Sequence, residues 1–192
     1  MDKQYYGLQR RMEHRPELFT EAQRRALQFA SQLIASTLIQ GRKVYVAGYG
    51  IYDYLSQYFA AMMQTGLDIE RPALPVVALR ADAAMAAGTE SQQGIEQALD
   101  RQLKLQVSQN DILIILTDHT VPAKPWQLLE TSHRKNLSLI FLGDEPSSIR
   151  QHAVEEQVIF LNTGDEHATF VYENCVTLLH QLYHTVEQQL FG

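Results

Sequence analysis

Cysteine is almost absent. Cys175 is the single one among 192 residues, so no internal disulfide can form and no cysteine cluster can hold a metal. That usage fits a reducing compartment, and the expectation is a cytoplasmic protein. Long apolar runs are missing as well, none approaching the ~20 residues that a membrane-spanning helix requires. The opening stretch MDKQYYGLQRRMEHRPE has no apolar core of the secretory kind. Positive charge is scarce: 16 Lys and Arg face 22 Asp and Glu, a net charge of −6, which argues against broad electrostatic binding to nucleic acid or anionic membrane. With 10 glycines and 6 prolines scattered through it, the chain has no repeat, low-complexity tract or Pro/Gly-rich linker. We therefore expect a single domain over residues 1–192, with a helical arm over residues 1–40. What is present is 45% hydrophobic and 20% charged residues, the balance of a globular protein. A chain of this length buries roughly 70% of the surface exposed on unfolding, so it folds without staples.

Short apolar runs alternate with stretches of helical length. The runs Lys43–Ala47, Leu74–Leu79, Ile112–Leu116, Leu137–Leu142 and Val158–Leu161 are mostly continuous rather than alternating. Strands read this way when a parallel sheet is covered on both faces. Pro75 marks the second run as an edge strand or the start of one. Helices are expected over Leu18–Ile39, Tyr52–Thr65, Ile95–Val107, Trp126–Arg134 and Ala168–Leu190, with a short one after Pro146. In the first, Ala26, Phe29, Ala30, Leu33, Ile34, Thr37 and Leu38 keep the 3.6-residue period, and Gly41 supplies the terminating turn. Alternation at this spacing predicts an α/β fold: a doubly wound, flavodoxin-like, five-stranded parallel sheet.

Such sheets bind ligands beyond the carboxyl ends of their strands, where loops enter helix N-termini. Two segments fall there: Gly48, Tyr49, Gly50, Ile51, Tyr52 and Asp53 after the first strand, and Thr117, Asp118, His119, Thr120, Val121 and Pro122 after the third.

The run from Lys43 to Leu79 carries Gly48-x-Gly50, Gln57-x-Phe59-Ala60-Ala61 and Glu70-Arg71-Pro72-x-Leu74-Pro75. In these it resembles the sugar isomerase (SIS) domain of phosphoheptose isomerases. It is more similar still to the DiaA-like branch, whose members associate with the replication initiator DnaA and form homotetramers. The resemblance spans about residues 20–191 and includes the Leu190-Phe191 ending. The family's first phosphate loop has Asn and small residues where this chain has Tyr49, Ile51 and Tyr52; its second is rich in Ser and Gly where this chain has Asp118, His119, Val121 and Pro122. Bulky groups bar the backbone from an anion, Asp118 repels one, and Pro122 lacks an N–H. The His and Glu that the isomerases place on the helix after the first loop match Tyr58 and Met62, and neither is a carboxylate base. The family's later Gln and His positions fall on Tyr172 and His180, so the histidine alone is kept.

Several residues carry two readings. His180 and His184, with Glu187 one turn later, have the spacing of a metal pair, but packing or surface placement on an amphipathic helix is the preferred reading, a relic acid–base role for His180 the remaining one, and no metal or other cofactor is expected. Tyr45, Tyr49, Tyr52, Tyr54 and Tyr58 are dense enough for core and interface packing or for filling an ancestral pocket. Cys175 reads as a small apolar residue, and Arg10, Arg11, Arg24 and Arg25 as a solvated helix face. Asp53 and Asp118 at the loop mouths form a candidate carboxylate pair. Leu190 and Phe191 either tuck against a neighbouring subunit or anchor a partner protein. The expected function is a non-catalytic, oligomeric scaffold for a DnaA-like initiator. The alternative is a diverged protein that binds or isomerises a sugar or sugar phosphate, with an altered ligand recognised by Thr117, Asp118, His119 and His180.

Overall fold

The computed structural model describes residues 19–67, 69–80, 92–117, 125–143, 158–162 and 168–192. Its described elements run α1 (Glu21–Ile39), β1 (Val44–Gly48), α2 (Tyr52–Thr65), β2 (Val76–Leu79), α3 (Gln92–Gln106), β3 (Ile112–Thr117), α4 (Trp126–Arg134), β4 (Ser138–Gly143), β5 (Val158–Asn162) and α5 (Ala168–Phe191). The five strands form one all-parallel sheet in the order β2-β1-β3-β4-β5. Every residue of β1 and β3 is buried, as continuous apolar strands require when helices cover both faces. Helices α1, α2 and α5 pack together as one layer, and α3 with α4 as the other.

The predicted elements lie where the periodicity placed them, with shifts at the ends that have local causes. α1 starts at Glu21 rather than Leu18, because Thr20 and Gln23 close a capping box: Thr20 Oγ1 accepts the Gln23 N–H at 3.2 Å and Gln23 Oε1 accepts the Thr20 N–H at 2.7 Å. It ends in a Schellman turn, with Gly41 at φ +72°, the Gly41 N–H on Leu38 O and the Arg42 N–H on Thr37 O. β1 begins at Val44 because the Lys43 N–H is drawn to the Asp111 carboxylate at 2.9 Å. β2 begins at Val76; Pro75 precedes it and the strand lies at the sheet edge, as a missing N–H demands. α3 starts at Gln92, three residues before the expected Ile95.

One expectation fails on α1. Phe29 was placed on the buried stripe, yet it is 63% exposed, while Ala30, Ile34 and Leu38 face the core. Its neighbours Leu27, Ser31 and Ala35 are buried instead, so the stripe runs to the other side of Ala30. The chain before residue 19, with Arg10 and Arg11, and the short helix expected after Pro146 lie outside the described residues. Among the described residues no helix is long and apolar enough to cross a membrane.

Candidate functional site

The crevice of this fold lies between the loops that leave the carboxyl ends of β1 and β3, where the strand order reverses. The first loop is tightly wound. A Cβ on Gly48 would collide with the Tyr52 carbonyl, so the position accepts only glycine. Gly50 turns the chain at φ +62°. The Tyr52 N–H then donates to Tyr49 O at 3.2 Å and the Asp53 N–H to Gly50 O at 3.3 Å. These are the first free amides of α2, the groups that would meet a phosphate, and the turn itself uses them. Asp53 adds a carboxylate in the first turn, held by Gln57 Nε2 at 2.8 Å. Burial raises its pKa above the ordinary 3.8, against the opposing pull of Arg80 and Gln57.

The tyrosines of this loop point inward. Tyr49 and Tyr52 are 1% and 0% exposed, and the Tyr52 ring lies 5.6 Å from that of Tyr172. Further down β1, Tyr45 donates its hydroxyl to Gln106 O at 2.8 Å, and burial pushes its pKa up to about 12. Tyr54 and Tyr58 alone of the five face solvent, at 73% and 41% exposure.

The second helix N-terminus is also taken. Glu96, on α3, accepts the Gln127 N–H at the start of α4 through Oε1 at 2.6 Å, so a carboxylate sits where the helix dipole favours an anion. Burial raises the Glu96 pKa above 4.5, the Gln127 bond opposes that rise and the charge of Asp100 adds to it. One turn along, buried Asp100 is held by Lys104 and by the Thr131 hydroxyl. Thr117 is buried at the end of β3. Asp118, His119 and Thr120, the remaining expected members of this loop, lie outside the described residues, as does the second half of the Asp53/Asp118 pair.

The acid–base positions are brought together but differently furnished. Tyr58 Oη and His180 Nε2 share a hydrogen bond of 2.9 Å, the rings meeting edge to face. Met62, at the family's second position, is 2% exposed and part of the core. His184 packs edge-on against Tyr183. Glu187 is not available to complete a metal set with the two histidines. It accepts from Arg71 Nε and from the Tyr183 hydroxyl, each at 2.7 Å, and these bonds outweigh the upward push of burial, leaving its pKa below 4.5. Cys175 is buried on the inner face of α5.

The terminal pair divides. Leu190 packs against its own chain's core, and Phe191, 41% exposed, lies with its ring 5.6 Å from the Arg71 guanidinium carbon. Phe191 is the more exposed of the two, Leu190 being half-buried. Arg71 stands in the motif that carries the resemblance, whereas nothing in the sequence reading pointed to Glu96, Asp100 or Tyr183. A signal existed for the carboxylates: Glu96 and Asp100 stand one turn apart beside Leu99 and Leu103, on what the pattern makes the inner face of α3.

The SIS domain family model matches residues 9–143. A phosphoheptose isomerase from Chromohalobacter salexigens is 24% identical over 171 residues, covering 86% of this chain and 84% of its own. The solved phosphoheptose isomerase of Francisella tularensis superposes with a TM-score of 0.78 at 23% identity, over 96% of this chain and 95% of that one. A HobA–DnaA (domain I–II) complex from Helicobacter pylori superposes at 0.51 and 16% identity, over 100% and 95% of the two chains. Both structures share this fold.

Proposed function

Because the chain belongs to the SIS domain family, we propose that it is a non-catalytic member that serves as an oligomeric scaffold for a DnaA-type replication initiator. The observation that carries the first half is the Glu96 carboxylate on the N-terminus of α4. A phosphate dianion there would have to displace a buried carboxylate or lie against it. The spent amides of the first loop support the same reading, as does a buried methionine where a base would stand. Proton transfer between sugar carbons needs a carboxylate or imidazole free to reach substrate, and His180 is shared with Tyr58.

The second half rests on the resemblance to DnaA-associating members, and the HobA chain, which has the same fold, was solved with DnaA. Ligand-pocket residues Gly48, Tyr49, Gly50, Tyr52, Asp53 and Thr117 then act as scaffold, and Phe191 as a contact for the partner. The exposed apolar side chains Phe29, Ile39, Tyr54 and Leu105 give the chain surface for self-association, and a homotetramer would present each contact several times over, so that weak contacts add by effective concentration. The site acts without touching nucleic acid directly, in keeping with the net charge of −6.

Calorimetric titration with the N-terminal domain of the same organism's DnaA tests this. Micromolar or tighter binding to the wild type, lost in Phe191→Ala, is expected, together with no turnover of sedoheptulose 7-phosphate. Absence of DnaA binding removes the partner. Turnover of the phosphosugar removes the non-catalytic reading. A thermal shift with an unphosphorylated sugar alone would favour the altered-ligand alternative.

A further inference from the structure

We propose that Arg71 is a positioning residue: from the connection between α2 and β2 it clamps the last turn of α5 and holds the Phe191 ring in the orientation presented to solvent. The use made of that ring rests on the scaffold reading above, in which Phe191 meets the partner; the hold on it does not.

The end of a helix is where its order is weakest, since the last four carbonyls have no partner within it. Phe191 is the last residue of α5, so its side chain should fray with the turn that bears it. Arg71 opposes this. Glu187 and Phe191 stand four residues apart and hence on one face of α5. Arg71 engages both: Nε donates to Glu187 Oε1 at 2.7 Å, and the guanidinium carbon lies over the Phe191 ring, 5.6 Å from its centre. A cation within about 6 Å of a ring face is attracted by the ring quadrupole.

The guanidinium is itself held. The Arg71 side chain is 1% exposed; Nη1 donates to Met63 O at 2.9 Å and to Pro72 O at 3.1 Å, and Nη2 to Met62 O at 3.4 Å. Met62 and Met63 belong to the last turn of α2, so one cation serves the carboxyl-terminal ends of two helices. Neither α2 nor α5 has a basic residue in its own last turn, and both helix dipoles favour a positive charge there. Tyr183 closes the other side: its ring centre lies 5.8 Å from the guanidinium carbon, and its hydroxyl accepts the Leu67 N–H and donates to Glu187, each at 2.7 Å.

A ring fixed in this way is already ordered when the partner arrives. Ordering a free side chain at an interface costs affinity about 3- to 10-fold, and Arg71 removes that cost beforehand.

Two readouts on the full chain separate this role from stability. In Trp126→Phe/Phe191→Trp the single tryptophan reports on position 191. Adding Arg71→Met/Glu187→Leu should raise its acrylamide quenching constant about twofold or more and lower its anisotropy, because the cation under the ring is gone. That double change removes both charges together and so keeps most of the stability. Arg71→Lys keeps the ion pair without the flat guanidinium face; it should shift quenching the same way and carries the test if the double change does not fold. In the otherwise native chain, Arg71→Met/Glu187→Leu should weaken binding of the DnaA N-terminal domain about 3- to 10-fold. Unchanged quenching at position 191 overturns the proposal. So does a double variant that binds the initiator domain as tightly as the wild type, since Arg71 would then be a structural residue only. A wild type that binds no DnaA removes the scaffold reading, and the quenching still decides the role of Arg71.

Discussion

Replacing Glu187 by Gln should be among the most damaging single-atom changes this protein can suffer. Arg71 and Glu187 side chains are 1% and 8% exposed and meet at 2.7 Å, and Arg71 Nη1 also donates to Met63 O at 2.9 Å and Pro72 O at 3.1 Å. Its guanidinium carbon lies 5.8 Å from the Tyr183 ring centre, with Phe191 also beside it. Glu187→Gln preserves shape and an acceptor oxygen but removes the charge, leaving a guanidinium desolvated and unpaired. Breaking a buried pair from one side costs about 3–5 kcal/mol, which for a chain of this size is a fall of about 6–20 °C in Tm. Arg71→Met strands the carboxylate instead, which can escape by taking a proton.

The two variants therefore differ in pH dependence. In the wild type the Glu187 pKa is lowered, so its stabilisation is fully present above the unfolded value of 4.5 and is lost as pH falls through the lower folded value. In Arg71→Met, burial acts without its main opponent and raises that pKa, so stability should be recovered on acidification through the usual carboxylate range. The double variant Arg71→Met/Glu187→Leu should regain most of the loss, short of the bonds to Met63 and Pro72. Urea and thermal melts of the four proteins across pH close the cycle. A Glu187→Gln protein that melts within ~2 °C of the wild type would refute the premise that the pair is desolvated.

Gly48→Ala should cost about 3 kcal/mol or more, read in urea melts, because the new methyl group meets the Tyr52 backbone and not a side chain that can yield. Thr20→Ala removes one bond of the α1 capping box and should lower stability by about 1 kcal/mol. Asn136 ends α4 at φ +54°, with its N–H on His133 O and the following Leu137 N–H on Ser132 O, so Asn136→Ala should lose about 1–2 kcal/mol and Asn136→Gly noticeably less.

The elements were legible because their causes are local. Continuous apolar runs such as Ile112–Leu116 bury on both faces only in a parallel sheet between helix layers, and Pro75 disqualifies its run from the sheet interior. The helix spans followed from the 3.6 period, and Tyr52–Thr65 and Trp126–Arg134 were placed to the residue. Phe29 was misplaced because periodicity fixes the width of an apolar stripe more firmly than its centre: Ala30 and Ile34 suit a stripe running toward Phe29 or toward Ser31, and only packing against α5 selects the second.

The candidate site was legible as a place and not as a chemistry. The loops after β1 and β3 follow from strand order, and the unsuitability of Tyr49 and Met62 from residue type. The groups that decide the electrostatics pair across distances no sequence window spans. Glu96 reaches Gln127 over 31 residues, Tyr58 reaches His180 over 122 and Arg71 reaches Glu187 over 116. Burial and the hydrogen-bond list of each charge are properties of what the fold lays beside it. The sequence by itself determined that this chain would be a parallel α/β layer protein and where its crevice loops fall. The tertiary structure decided which carboxylate closes which helix end, because a charge is neutralised by its neighbours in space.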